Sequence, residues 1–152
     1  MMGGGQQQLQ QLSQELQALD EEIEALEDEV AGLREEQQDI DDAIEAIETL
    51  DSGATVQVPL GGGAYVRAEV QDIDEIIVSL GGNYSAEQSR DDAVTVLRRK
   101  QEALDDRIEE TQADISELES ESQELEQQAQ QMQQQMQQQQ MQQMQQAQGD
   151  EE

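Results

Sequence analysis

Residues 50–86 read LDSGATVQVPLGGGAYVRAEVQDIDEIIVSLGGNYSA, and this stretch decides the fold. It holds the only proline, Pro59, and both tyrosines, Tyr65 and Tyr84, and it is dense in valine and isoleucine. Within it the apolar period is two. Val56, Val58 and Leu60 share one face, with Thr55 and Gln57 on the other. After Gly61-Gly62-Gly63, Ala64, Val66, Ala68 and Val70 alternate with Tyr65, Arg67 and Glu69. That pattern predicts a β-hairpin with a glycine turn. Pro59 has no N–H to give to a ladder, so its strand is expected to be an edge or to bulge there. A second hairpin follows, with Ile76, Val78 and Leu80 on one face, Gly81-Gly82 as the turn and Asn83-Tyr84-Ser85 opening the return strand. A two-stranded hairpin is marginal on its own in water, so both need partners. Val56, Val58, Leu60, Tyr65, Val66, Val70, Ile76, Val78, Leu80 and Tyr84 are therefore the candidate oligomerisation residues.

Outward from this middle the period changes to 3.5. On the N-terminal side the stripe runs Leu9, Leu12, Leu16, Leu19, Ile23, Leu26, Val30, Leu33, Gln37, Ile40, Ile44, Ile47. On the C-terminal side it runs Val94, Leu97, Gln101, Leu104, Ile108, Thr111, Ile115, Leu118, Ser122, Leu125, Ala129, Met132, Met136. Steps of three and four in alternation are the a/d seam of a coiled coil. At 1.5 Å per residue the first helix spans roughly 60 Å. The fold class is α+β: a long antiparallel two-helix coiled coil joined by two small β-hairpins. Pairing residues whose numbers sum to about 141 sets Ile47 on Val94, Leu33 on Ile108 and Leu9 on Met132. It also puts Gln37 opposite Leu104 and Gln101 opposite Ile40, two polar layers side by side. The expected segments are a flexible N-terminus at 1–8, a helix at 9–51 stopped by Gly53, and hairpins at 54–85. A second helix at 86–136, begun by the capping box Ser85-Ala86-Glu87-Gln88, and a Gln/Met-rich acidic tail at 137–152 complete the chain.

The composition suits exposed helices better than a compact core. The 152 residues include no Phe or Trp, and 37 acidic residues against 7 basic ones give a net charge of −30. Nucleic acid and anionic membrane surfaces need clustered Lys and Arg, so neither is an expected partner. Arg98-Arg99-Lys100 is the one basic cluster and reads as a solvated helix face. Between Ser13 and Leu50 the only basic residue is Arg34, so Glu21, Glu24 and Asp28 repel at helical spacing. Each such pair costs roughly 0.2–0.5 kcal/mol in dilute buffer. At about 1 M salt the screening length falls to about 3 Å and most of that cost disappears. The sequence thus points to a protein of a salt-accumulating cytosol. No apolar run reaches membrane-spanning length, and MMGGGQQQ lacks the regions of a signal peptide, so a cytoplasmic location is expected.

Residues that could carry chemistry have simpler readings. Cys and His are absent, which removes disulfides, thiolate ligands and the commonest general base. Gly61-Gly62-Gly63 lacks the Lys-Ser/Thr ending of a phosphate loop and precedes a strand, so it is a turn. Asp39-Asp41 and Asp72-Asp74 lack the glycine and the final acid of a calcium loop. No catalytic residue, metal ligand or cofactor site is expected. The methionines differ, because flexible thioethers suit surfaces that accept many apolar shapes. Met132 and Met136 continue the seam to where the partner helix runs out, with Met141 and Met144 beyond.

Helix, the hairpins VQVPLGGGAYVRAEV and EIIVSLGGNYSAE, then helix resembles the α-type subunit of archaeal prefoldin, over residues 9–136. Two hairpins rather than one mark the α type. The resemblance implies a hexamer of two α-type and four β-type subunits whose hairpins build a β-barrel platform. From it coiled coils hang and hold unfolded polypeptide at their tips, passing it to a group II chaperonin without ATP. The client-binding residues expected on this plan are Leu9, Leu12, Leu16, Met132, Met136, Met141 and Met144. The competing reading is a structural coiled-coil spacer or adaptor, which would have no affinity for non-native chains.

Overall fold

The computed structural model describes residues 3–149. The elements are α1 (Gly3–Thr49), β1 (Thr55–Gly61), β2 (Ala64–Glu69), β3 (Ile76–Gly81), β4 (Tyr84–Gln88) and α2 (Arg90–Gly149). The α+β arrangement of two long helices around two hairpins is as expected. Met1, Met2 and residues 150–152, parts of the expected N-terminus and tail, lie outside the described residues. The chain divides into two compact units, residues 31–108 and residues 1–30 with 109–152.

In the first unit each hairpin is its own two-stranded antiparallel sheet. Val58 pairs with Val66 and Pro59 with Tyr65, and the register slips between Pro59 and Gly61, where the missing N–H was expected to disturb the ladder. Val78 pairs with Ala86 and Ser79 with Ser85, with the same slip before Gly81. Gly61 pairs with Ala64 and Gly81 with Tyr84, so the central turn residues are Gly62-Gly63 and Gly82-Asn83. All four have positive φ, as a type I′ turn requires, and Asn83 at 66° is the one non-glycine residue to do so among those described. The second turn therefore lies one residue later than its glycines suggested.

Three further boundaries differ from the sequence reading. Residues 3–8, expected to be flexible, are the first turns of α1. Ser85-Ala86-Glu87-Gln88 forms strand β4 rather than a helix cap, because Val78 claims Ala86 as its cross-strand partner. The cap is Ser89, whose Oγ accepts from the Asp92 N–H at 3.3 Å, with Asp91 and Asp92 in the positive first turn. Gly53 takes φ 86° as expected, but its N–H donates to Val70 O at 2.7 Å and so opens the first hairpin rather than capping α1. The end of α1 is closed by Arg90, which donates to Leu50 O and faces Asp51 at 3.5 Å.

The core of this unit is Ile44, Val78, Ala93 and Leu97, flanked by Ile40, Ile47, Ile76 and Val94. Ala93 is completely buried, so the second hairpin lies directly on the helix pair. One polar layer crosses the seam. Gln37 Nε2 donates to Gln101 O at 3.4 Å and to Asp105 Oδ1 at 2.5 Å. Gln101 Nε2 returns the contact to Gln37 O at 3.2 Å and Asp41 Oδ1 at 2.5 Å. The two glutamines thus reach past the facing apolar residues to each other's backbone, and each amide is shared with a carboxylate four residues along the opposite glutamine's helix.

In the other unit every a/d position from Leu9 to Leu26 and from Ile115 to Met136 is half-buried, and the residues between are exposed. The seam reaches Gly5, where an added Cβ would sit 3.2 Å from Met136 Sδ. Residues 5 and 136 also sum to 141, the expected register. From residue 137 to 149 α2 continues with every residue exposed.

Candidate functional site

Two surfaces carry apolar groups that this chain does not cover. The first is on the hairpins. Leu60, Tyr65 and Tyr84 are largely exposed, with Val58, Val66 and Leu80 about half so. Val56 and Val70 are half-buried. Val78 departs from the sequence reading: it is 4% exposed and packs on Ile44, Ala93 and Leu97, with Ile76 beside it. These two were counted as inter-subunit residues, and they instead belong to the chain's own core. Sequence reasoning missed Ile77, on the opposite face and 74% exposed. Its signal was the unbroken Ile76-Ile77-Val78, which puts apolar groups on both faces of β3.

The second surface is at the chain ends. Leu9, Leu12, Leu16, Met132 and Met136 lie in the seam and are half-buried, so the facing helix already covers them in part. Met141 and Met144 are 70% and 73% exposed. They stand off the seam, because five residues from Met136 to Met141 turn a helix by about 140°. They share a groove with Gln134, Gln137, Gln138 and Gln140.

Several of the charged residues singled out earlier have local partners. Arg98 faces Glu48 at 3.6 Å with both side chains more than half exposed, a pair worth little. Lys100 donates to Ser79 O and ties α2 to β3. Asp72 Oδ1 accepts the Asp74 N–H at 3.0 Å and Asp74 Oδ1 the Arg90 N–H at 3.4 Å, so both shape the turn between the hairpins. Among the described residues no helix is long and apolar enough to cross a membrane.

A family model described as prefoldin subunit matches residues 19–148, both hairpins and most of both helices. The chain belongs to the prefoldin family. Prefoldin subunits are chaperones. The chain is similar to "Prefoldin subunit alpha" of the halophilic archaeon Halorubrum lacusprofundi, 89% identical over 74% of each chain. The corresponding subunit of Haloarcula marismortui is 63% identical over 73% of this chain and 72% of the relative. That of Methanosarcina acetivorans is 37% identical over 49% and 53%. Among solved structures, filamentous PFD from Methanocaldococcus jannaschii is similar at 27% identity and a TM-score of 0.51, over 77% of this chain and 93% of that one. The α-type prefoldin pattern read from the sequence thus agrees with the high identity to haloarchaeal alpha subunits. For a prefoldin subunit, hairpins with open apolar faces and helix ends with spare methionines are the two surfaces to explain.

Proposed function

We propose that this prefoldin subunit is one of two α-type chains in a cytoplasmic hexamer with four β-type chains, holding unfolded polypeptides at the free helix ends and delivering them to a group II chaperonin. The observation that carries the holding role is a helix that outlasts its partner. Gly5, in the first turn of α1, lies against Met136, whereas α2 runs on to Gly149 with Met141 and Met144 open to solvent. Each apolar side chain fully covered by a client contributes roughly 1.5–3 kcal/mol, so a few contacts give weak, reversible holding. Fraying of the last turns adds Leu9, Leu12, Leu16, Met132 and Met136 to that surface. Assembly falls to the open faces of the hairpins, around Val58, Val66 and Tyr65. Val56, Leu60, Val70, Leu80 and Tyr84 complete that interface.

The test is removal of residues 1–11 and 131–152 from the subunit within the complex, assayed at molar salt. The expected result is an intact hexamer by light scattering that no longer suppresses aggregation of a non-native protein. Full suppression by the truncated hexamer would move the holding site away from the helix ends. A spacer without client affinity predicts no suppression by the full-length complex either.

A further inference from the structure

Sulfur is confined to the two ends of this chain. Cys is absent, and the six methionines stand at 1–2 and 132–144. Met1 and Met2 lie outside the described residues. From residue 127 to 149 the sequence contains only Gln, Ala, Gly and Met, so every apolar side chain there larger than alanine is a thioether. Earlier in α2 the seam uses leucine instead, at Leu97, Leu104, Leu118 and Leu125. Leucine forms helices at least as well as methionine, so helix propensity does not account for the change.

The four described methionines fall into two pairs. Met132 and Met136 are half-buried in the seam, and α1 comes so near Met136 Sδ that a Cβ added at Gly5 would sit 3.2 Å from it. Met141 and Met144 are 70% and 73% exposed. They stand beyond the seam in a groove otherwise lined by Gln134, Gln137, Gln138 and Gln140. Oxidants reach a thioether through its sulfur lone pairs, so exposure sets the rate of attack. The seam pair is fully open to attack only when the helices part.

We propose that Met141 and Met144 are a peroxide-sensitive modification site whose conversion to sulfoxide turns off polypeptide holding; the switch rests on the free ends being the holding site. A sulfur lone pair attacks one oxygen of hydrogen peroxide, and the S–O bond forms as the O–O bond breaks. The departing hydroxide takes the proton of the transferred oxygen and leaves as water. The sulfide is thereby oxidised and the peroxide reduced. A polar, hydrogen-bond-accepting group then stands where an apolar one stood. Covering it with an apolar client segment that offers no donor costs free energy that a thioether does not. The amides around the groove carry N–H donors for the new oxygen, so the oxidised groove is satisfied by its own rim and by water. Beyond Met136 the described residues hold no other apolar side chain larger than Ala147, so nothing takes over the lost contact. Because both methionines stand beyond the seam, the helix pair is left intact.

The experiment exposes the full complex in molar KCl to dilute hydrogen peroxide, desalts it, and uses guanidinium-unfolded citrate synthase as the probe. Peptide mass spectrometry reads the oxygen gained at each methionine, and light scattering reads assembly. Met141 and Met144 should each gain one oxygen at least about tenfold faster than Met132 and Met136. The treated complex should stay assembled, yet about tenfold more of it should be needed to suppress aggregation of the probe. Methionine sulfoxide reductases with dithiothreitol should restore the suppression. A complex carrying Met141→Leu and Met144→Leu should change by less than about twofold between its own untreated and treated samples. Equal oxidation of both pairs, undiminished suppression after oxidation, or a Leu variant that loses as much as the parent on treatment would overturn the inference while leaving the end as the holding site. An untreated parent complex that does not hold the probe, or one lacking residues 131–152 that holds it fully, would overturn the holding site itself and the switch with it.

Discussion

The two hairpins share one local code and have different surroundings. Val58-Pro59-Leu60-Gly61-Gly62-Gly63 and Val78-Ser79-Leu80-Gly81-Gly82-Asn83 each make a strand, a register slip and a two-residue turn of positive φ. Yet Val78 is 4% exposed and Val58 is 41% exposed. The cause is attachment. One residue, Ser89, separates β4 from α2, so the second hairpin lies on Ala93 and Leu97 as the helix begins. The first hairpin hangs between two longer connections, closed at its base by Gly53 and Ala54 on Val70. Identical local rules thus yield one valine buried in the chain's own core and one left about half exposed.

The strongest way to break this comparison is a charge at the two equivalent valines. Val78→Asp buries a carboxylate among Ile44, Ala93 and Leu97 and should cost about 3–5 kcal/mol in urea unfolding of the isolated subunit in molar KCl. Val58→Asp should cost less than about 0.5 kcal/mol in that assay, while light scattering shows it failing to assemble with partner subunits. Similar losses of subunit stability would mean that the hairpins are not used differently.

A middle-sized effect is expected at Arg90, the residue that fastens the second hairpin's exit. Its backbone N–H meets Asp74, and its guanidinium meets Leu50 O and Asp51. Arg90→Ala should lower stability by about 1.5–3 kcal/mol, the range for a hydrogen bond from a charged group. Arg90→Lys should recover part of this, since a single ammonium cannot serve a carbonyl and a carboxylate as a fork does. That guanidinium joins the start of α2 to the end of α1 and the entry to the first hairpin. Hydrogen exchange in Arg90→Ala should therefore rise at residues 50–54 more than in β3, where Val78 stays held by Ile44, Ala93 and Leu97.

The smallest effect sharpens what the hairpins share. Gly63 and Asn83 occupy the same turn position at φ 83° and 66°. Gly63→Asn should change the melting free energy by less than about 0.5 kcal/mol, whereas Gly63→Val should cost about 1–2 kcal/mol. Equal penalties for both substitutions would show that the two turns are not alike.

Much of this was legible from one sequence. Every position in the three-and-four spacing from Leu9 to Ile47 and from Val94 to Met136 is half-buried or buried, joined in those spans only by Glu29, Ala43, Val96 and Lys100. It could be read because a coiled coil's contacts repeat along the chain. The slip after Pro59 followed from a missing donor. The misreading of Ser85-Ala86-Glu87-Gln88 has the opposite cause. Both it and Ser89-Arg90-Asp91-Asp92 fit a helix-start pattern, and only the pairing of Val78 with Ala86 selects the second.

By itself the sequence determined to within a few residues where the helices and turns lie, which helix positions face the seam, and where charge gives way to glutamine and methionine. These are properties of period, backbone freedom and side-chain chemistry, and each is written within a few residues. Tertiary structure alone decided which face of which hairpin is spent at home. Val58 and Val78 sit in the same local motif, and their difference lies in what each touches. It also decided that Met136 meets α1 at Gly5 while Met141 and Met144 stay open, since that depends on how far the facing helix reaches.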